Sequence, residues 1–221
     1  KDSKLMVIIL RNNFIIKPFI VIFQNYIIIK LEINKMIIYI HGFASSGFGS
    51  KAEKFKEYFE DEIITISLPT IPNLAINTLE QLIEAFVSID EEVQLIGSSL
   101  GGFYALYLAN KYDLKAVLIN PAVNPWGTLD KYEGVDLVTN YYDGSRFEFT
   151  SNHIKSLKNY EVDFLKTPEN FITLLQEEDE VLDFSEAALK LENTELIIEE
   201  GGNHSFEDIE RYFRKISTFF R

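Results

Sequence analysis

Val93-Gln94-Leu95-Ile96-Gly97-Ser98-Ser99-Leu100-Gly101-Gly102-Phe103 sets an apolar run directly against a serine bracketed by glycines, with a helically spaced apolar stretch behind it. Residues 93–96 read as a strand and 100–112 as a helix, so Gly97-Ser98-Ser99-Leu100-Gly101 falls in the turn between them and matches G-x-S-x-G. A serine at such a turn projects from the end of a sheet. Glycine two positions to either side lets neighbouring backbone pass closely without a Cβ in the way. Ser99 is the candidate nucleophile, and Ser98, at the x position, is expected to point elsewhere.

Outward from this turn, short apolar runs alternate with amphipathic segments at roughly thirty-residue intervals, the pattern of βαβ units. Strands are expected at 37–40, 63–66, 93–96, 116–119, 171–175 and 195–198, and helices at 51–58, 79–89, 100–112, 185–191 and 207–220. The Ile, Val and Leu density of the strands suits a sheet covered on both faces. The fold class is therefore α/β: a doubly wound, mostly parallel sheet of the α/β-hydrolase kind. The interval 121–168 breaks the rhythm with Pro121, Pro125, Trp126, Gly127, Tyr141, Tyr142 and Gly144. It reads as an insertion near the active site, either a lid or an excursion whose aromatics fill a local core.

A serine hydroxyl needs a base, most often histidine. The chain has three. His204, in Gly201-Gly202-Asn203-His204-Ser205, follows the last expected strand and so belongs to the carboxyl edge that also holds Ser99. The imidazolium formed during proton transfer needs an acid, and Asp179, in Gln176-Glu177-Glu178-Asp179-Glu180, follows the preceding strand at the same edge. The chain order Ser99, Asp179, His204 is that of α/β-hydrolases. The backbone N–H groups of Phe43, after the first strand of the body, and of Leu100, after the nucleophile, are the expected oxyanion donors. His41, Trp126 and His153 are further candidates for contact with substrate. The stretch from Gly42 to Ser50 does not match a phosphate-binding loop, because Phe48 follows Gly47 where that pattern continues differently. No cofactor or metal is expected.

Composition narrows the class further. The 221 residues contain no cysteine, which excludes thiolate catalysis and disulfides and fits a reducing, cytoplasmic compartment. The formal charge of -13 disfavours nucleic acid and anionic membrane partners and leaves a small-molecule substrate. That charge is unevenly spread: residues 1–35 carry six basic and two acidic groups, hence +4, so residues 36–221 carry -17. The first 35 residues also hold ten Ile and neither Gly nor Ala. Their apolar stretch is interrupted at Lys17-Pro18 and Gln24-Asn25, short of the ~20 apolar residues of a spanning helix. The segment reads as an extension separate from the 36–221 domain, either sequence upstream of a start at Met36 or a strand-rich appendage. A membrane-anchored hydrolase is the alternative that this segment raises.

Five ordered motifs from about Met36 onward resemble the small bacterial YqiA-type esterases of the α/β-hydrolases. They are Tyr39-Ile40-His41-Gly42-Phe43 with Ser45-Ser46 and Lys51-Ala52, then Gly97-Ser98-Ser99-Leu100-Gly101-Gly102, Asn120-Pro121-Ala122-Val123, Asp179-Glu180-Val181-Leu182-Asp183 and Glu200-Gly201-Gly202-Asn203-His204. The resemblance implies esterase activity with Ser99, Asp179 and His204 as the triad, extending to acyl thioesters. Glu178 stands where that family favours glycine. The expectation is a serine hydrolase of carboxylic esters; the different-class alternative is a binding protein on the same fold.

Overall fold

The computed structural model describes residues 19–23, 26–30 and 35–221, the first two stretches by backbone alone. β1 (Phe19–Phe23) pairs antiparallel with β2 (Tyr26–Lys30), Phe19 opposite Lys30. Lys17-Pro18 and Gln24-Asn25 lie outside the described residues. The chain divides into two compact units, Lys1–Asn34 and Lys35–Arg221.

The second unit runs β3 (Lys35–Ile40), α1 (Ser50–Phe59), β4 (Ile63–Thr65), α2 (Pro72–Val87), β5 (Glu92–Ser98), α3 (Leu100–Tyr112) and β6 (Lys115–Ile119). After α4 (Pro125–Leu129), β7 (Val138–Thr139), β8 (Arg146–Phe147) and α5 (Ser151–Ser156) come β9 (Phe171–Gln176), α6 (Phe184–Lys190), β10 (Glu195–Glu199) and α7 (Phe213–Phe219). The main sheet is parallel throughout, in the order β10-β9-β6-β5-β3-β4. From β3 the chain winds to one side through α1 into β4, and from β5 to the other through α3 into β6. The carboxyl ends of β3 and β5 therefore flank a topological switch point, where crevices form in such sheets.

Alternation along the strands divides the core. Ile38 and Ile40 face the cluster built with α2 and α3, whereas Ile37 and Tyr39 face Phe55 of α1 and Phe213 and Ile216 of α7. Both faces are buried, so the strands read as continuous apolar runs.

Two helices depart from their expected bounds. α2 starts at Pro72 rather than near 79, because proline fits a first helical turn whose N–H groups have no intrahelical acceptor; Ala75, Ile76, Leu79 and Ile83 then form one buried stripe. At the C-terminus, Phe206 and Asp208 take positive φ, so the chain passes through a 3-10 turn at Ile209–Tyr212 before α7 begins. The insertion combines both expectations. Phe149, Ile154 and Leu157 join the main core, while Asn140 and Tyr141 on the β7–β8 connection bond the Ser45 and Ala44 carbonyls. Among the described residues no helix is long and apolar enough to cross a membrane.

Candidate active site

Ser99 follows β5 as the N-cap of α3 with φ 57 and ψ -122, a conformation that non-glycine residues avoid. Such a turn persists only where its surroundings fix it. Ser99 N–H donates to the Ile119 carbonyl at 3.0 Å, and its own carbonyl accepts from Gly102, Phe103 and Ala122. The flanking glycines are required by clearance: a Cβ on Gly97 would lie 2.7 Å from Ala105 Cβ, and one on Gly101 would lie 2.6 Å from the His41 carbonyl oxygen. Gly42 brings the β3 exit against Ser99, since a Cβ there would sit 3.2 Å from Ser99 Cβ. Ser98 does point elsewhere, accepting from Lys51 Nζ at 2.6 Å.

The loop after β10 delivers His204. Gly201 and Gly202 both have positive φ, and a Cβ on Gly202 would lie 2.8 Å from Gln176 Cβ. Ser99 Oγ lies 3.0 Å from His204 Nε2, and both Asp179 carboxylate oxygens lie 2.9 Å from His204 Nδ1. With Nδ1–H directed to Asp179, Nε2 offers its lone pair to the serine hydroxyl. The Asp179 side chain is 2% exposed. Burial pushes its carboxyl up, but hydrogen bonds from His204 and from the Leu182 and Val181 amides outweigh this and hold its pKa below the usual aspartate value. Glu178 is exposed, and its N–H bonds the Gly201 carbonyl, so its charge is solvated.

Leu100 is the first residue of α3, where N–H groups lack intrahelical acceptors. Phe43 N–H has no protein acceptor among the described residues, and its ring is held by Tyr132, Phe147 and Phe149 of the insertion, 4.7–5.8 Å between centroids. A cleft of about 600 Å³ opens over Ser99 and His204, with Phe43, Leu129, Tyr132 and Tyr141 among its walls.

The three further candidates for substrate contact fall outside that lining. His41 is committed to backbone: Nδ1–H donates to Gly42 O at 2.8 Å and Nε2 accepts from Leu68 N–H at 2.9 Å. Its burial lowers the imidazole pKa, which the Gly42 bond partly counters. Trp126 packs edge-on against Phe103 beneath the Lys158 ammonium. His153 caps α5, accepting from Thr150 N–H at 3.2 Å.

Sequence reasoning missed Gln176 as a functional side chain, grouping it with the acidic run that follows. Its Oε1 accepts from Asn203 and Glu207 N–H, and its Nε2 donates to Glu199 and to the Glu207 carbonyl. Asn120 completes the scaffold, accepting from Gln176 N–H and donating to the Asn203 carbonyl. The available signal was position: an amide side chain on the last residue of a buried strand, where uncharged polarity is costly unless used.

The sheet order and the serine at its switch point define an α/β-hydrolase fold. Two solved structures share it: Est1E from Butyrivibrio proteoclasticus with ferulic acid bound, at TM-score 0.65 and 12% identity over 92% of this chain and 93% of that one, and an esterase from Pyrococcus furiosus, at TM-score 0.63 and 14% identity over 93% and 90%. Within that fold the chain belongs to the uncharacterised protein family UPF0227, whose pattern matches residues 36–221. Relatives include a family member from Pectobacterium atrosepticum, 25% identical over 193 residues, and YcfP of Salmonella paratyphi A, 24% identical; each alignment covers 83% of this chain and 98% of the relative. The resemblance to the YqiA-type group holds at this level.

Proposed function

We propose that this protein is a serine hydrolase of carboxylic esters, acyl thioesters included, acting through an acyl-enzyme. The observation that carries the reading is one imidazole that meets Asp179 at Nδ1 and Ser99 at Nε2, both within hydrogen-bond reach. As Ser99 Oγ bonds to the ester carbonyl carbon, its proton passes to His204 Nε2. Asp179 holds the imidazolium so formed. The tetrahedral oxyanion is received by the Phe43 and Leu100 N–H groups, and its collapse breaks the bond to the leaving oxygen or sulfur, which takes the proton from His204. Water then repeats the sequence on the acyl-serine, releasing the carboxylic acid and restoring Ser99. The esterase names borne by the two structures of this fold support the reading by analogy.

The test is covalent labelling by a fluorophosphonate, with ester and thioester turnover measured alongside. Labelling at Ser99 is expected, and Ser99→Ala is expected to abolish it and lower turnover by about 10⁴ or more with unchanged circular dichroism. An unreactive Ser99 with no turnover would leave a binding protein on this fold, and activity retained in the alanine variant would remove Ser99 from the role of nucleophile.

A further inference from the structure

Lys51 occupies a place where elementary electrostatics disfavours a cation. It is the second residue of α1, in the turn that carries the positive end of the helix dipole. That turn is open, since its N-cap is Gly49 and no side chain caps its amides. Lys54, three residues on, lines the same cleft and adds like charge, although Glu210 meets it at 2.5 Å. Lys51 has no such partner: among the described residues no carboxylate lies within 4.0 Å of its ammonium. Its acceptor is the neutral Ser98 hydroxyl, one residue from the nucleophile. Burial depresses its pKa to about 8; Asp179 partly counters this and Lys54 adds to it. A half-buried cation with no carboxylate in reach is costly unless something else supplies the opposite charge.

We propose that Lys51 and the open N-terminus of α1 form an anion subsite beside Ser99, and that the ester cleaved there carries a carboxylate or a phosphate. The inference rests on the hydrolase reading and adds the substrate class to it. A body of charge -17 repels anions at long range, so an anionic ester needs such a local reversal of sign to bind. The open amides receive the carboxylate or phosphate of the ester, as helix N-termini do, and Lys51 neutralises its charge.

Two charged esters compared with neutral counterparts test the subsite and locate the anion. The 4-nitrophenyl ester of succinate, against that of monomethyl succinate, places a carboxylate on the acyl side; butyryl glycerol phosphate, against butyryl glycerol, places a phosphate on the alcohol side. In the wild-type protein at least one charged ester is expected to exceed its neutral counterpart about ten-fold in kcat/KM, mainly through KM. Lys51→Met should lower that ratio about ten-fold and Lys51→Arg should retain most of it. No preference in the wild type overturns the proposal, whatever the variants do. A ratio unmoved by Lys51→Met also overturns it, as does an equal fall in Ser98→Ala, which would make Lys51 a tether of α1. Where Lys51→Met does not fold, the wild-type and Lys51→Arg ratios decide. Should no ester be cleaved, the hydrolase reading falls by itself, and calorimetric titration of succinate and inorganic phosphate into wild type and Lys51→Arg still decides the subsite: binding retained in both supports it, and no binding overturns it.

Discussion

An alanine at position 101 would carry its Cβ into the backbone of the β3 exit, 2.6 Å from both the Ile40 carbonyl carbon and the His41 carbonyl oxygen. Those atoms are backbone at and just beyond the end of β3 and cannot retreat like the end of a flexible side chain. Overpacking of this kind costs about 1–3 kcal/mol and sometimes more, and here it would also displace the turn that shapes Ser99. Gly101→Ala is therefore expected to destabilise by about 3 kcal/mol and to lose most ester turnover, read from urea midpoints and kcat. Gly134→Ala is the control: its φ is 79 with nothing within 4 Å of the added carbon, so it should cost about 1–2 kcal/mol and leave turnover intact. The glycine spacing announces this geometry in the sequence because clearance is a property of residue type. The positive φ at Phe206 leaves no such mark, since tertiary packing imposes it on a residue without that preference.

Asp179 follows β9 and His204 follows β10, on separate loops, and Gln176 at the end of β9 braces the second of them. Gln176→Leu would keep the volume of a buried side chain while leaving the Asn203 and Glu207 amides without their acceptor. Each buried group left unpaired costs about 1–3 kcal/mol. The expected outcome is a protein destabilised by about 2–4 kcal/mol in which His204 is displaced and kcat and the fluorophosphonate labelling rate fall together by about 10². A fall in stability with kcat unchanged would show that Gln176 supports the fold without positioning the base. At this scale the sheet strands and α3 were legible because continuous apolar runs and helical spacing are local signals. The start of α2 at Pro72, ahead of the expected 79, was not; nor were the short elements of the insertion, held by contacts from Phe43 and Ala44 rather than by their own periodicity.

For the whole molecule, the main sheet and both halves of its core are drawn from Lys35 onward, and the family pattern begins at residue 36. A protein starting at Met36 is expected to unfold in a single transition and to keep ester turnover within about two-fold of the full chain, measured by thermal melts and kcat/KM. Loss of cooperative unfolding would make residues 1–35 part of the functional unit. The order in which the chain is made gives the Ser99 turn a further consequence. Its carbonyl is fixed by Ala122 and its N–H by Ile119, so the strained shape cannot exist until those residues have been synthesised. The imidazole arrives 105 residues after the serine. A chain still growing on the ribosome thus cannot bring Ser99, Asp179 and His204 together before residue 204 has been made.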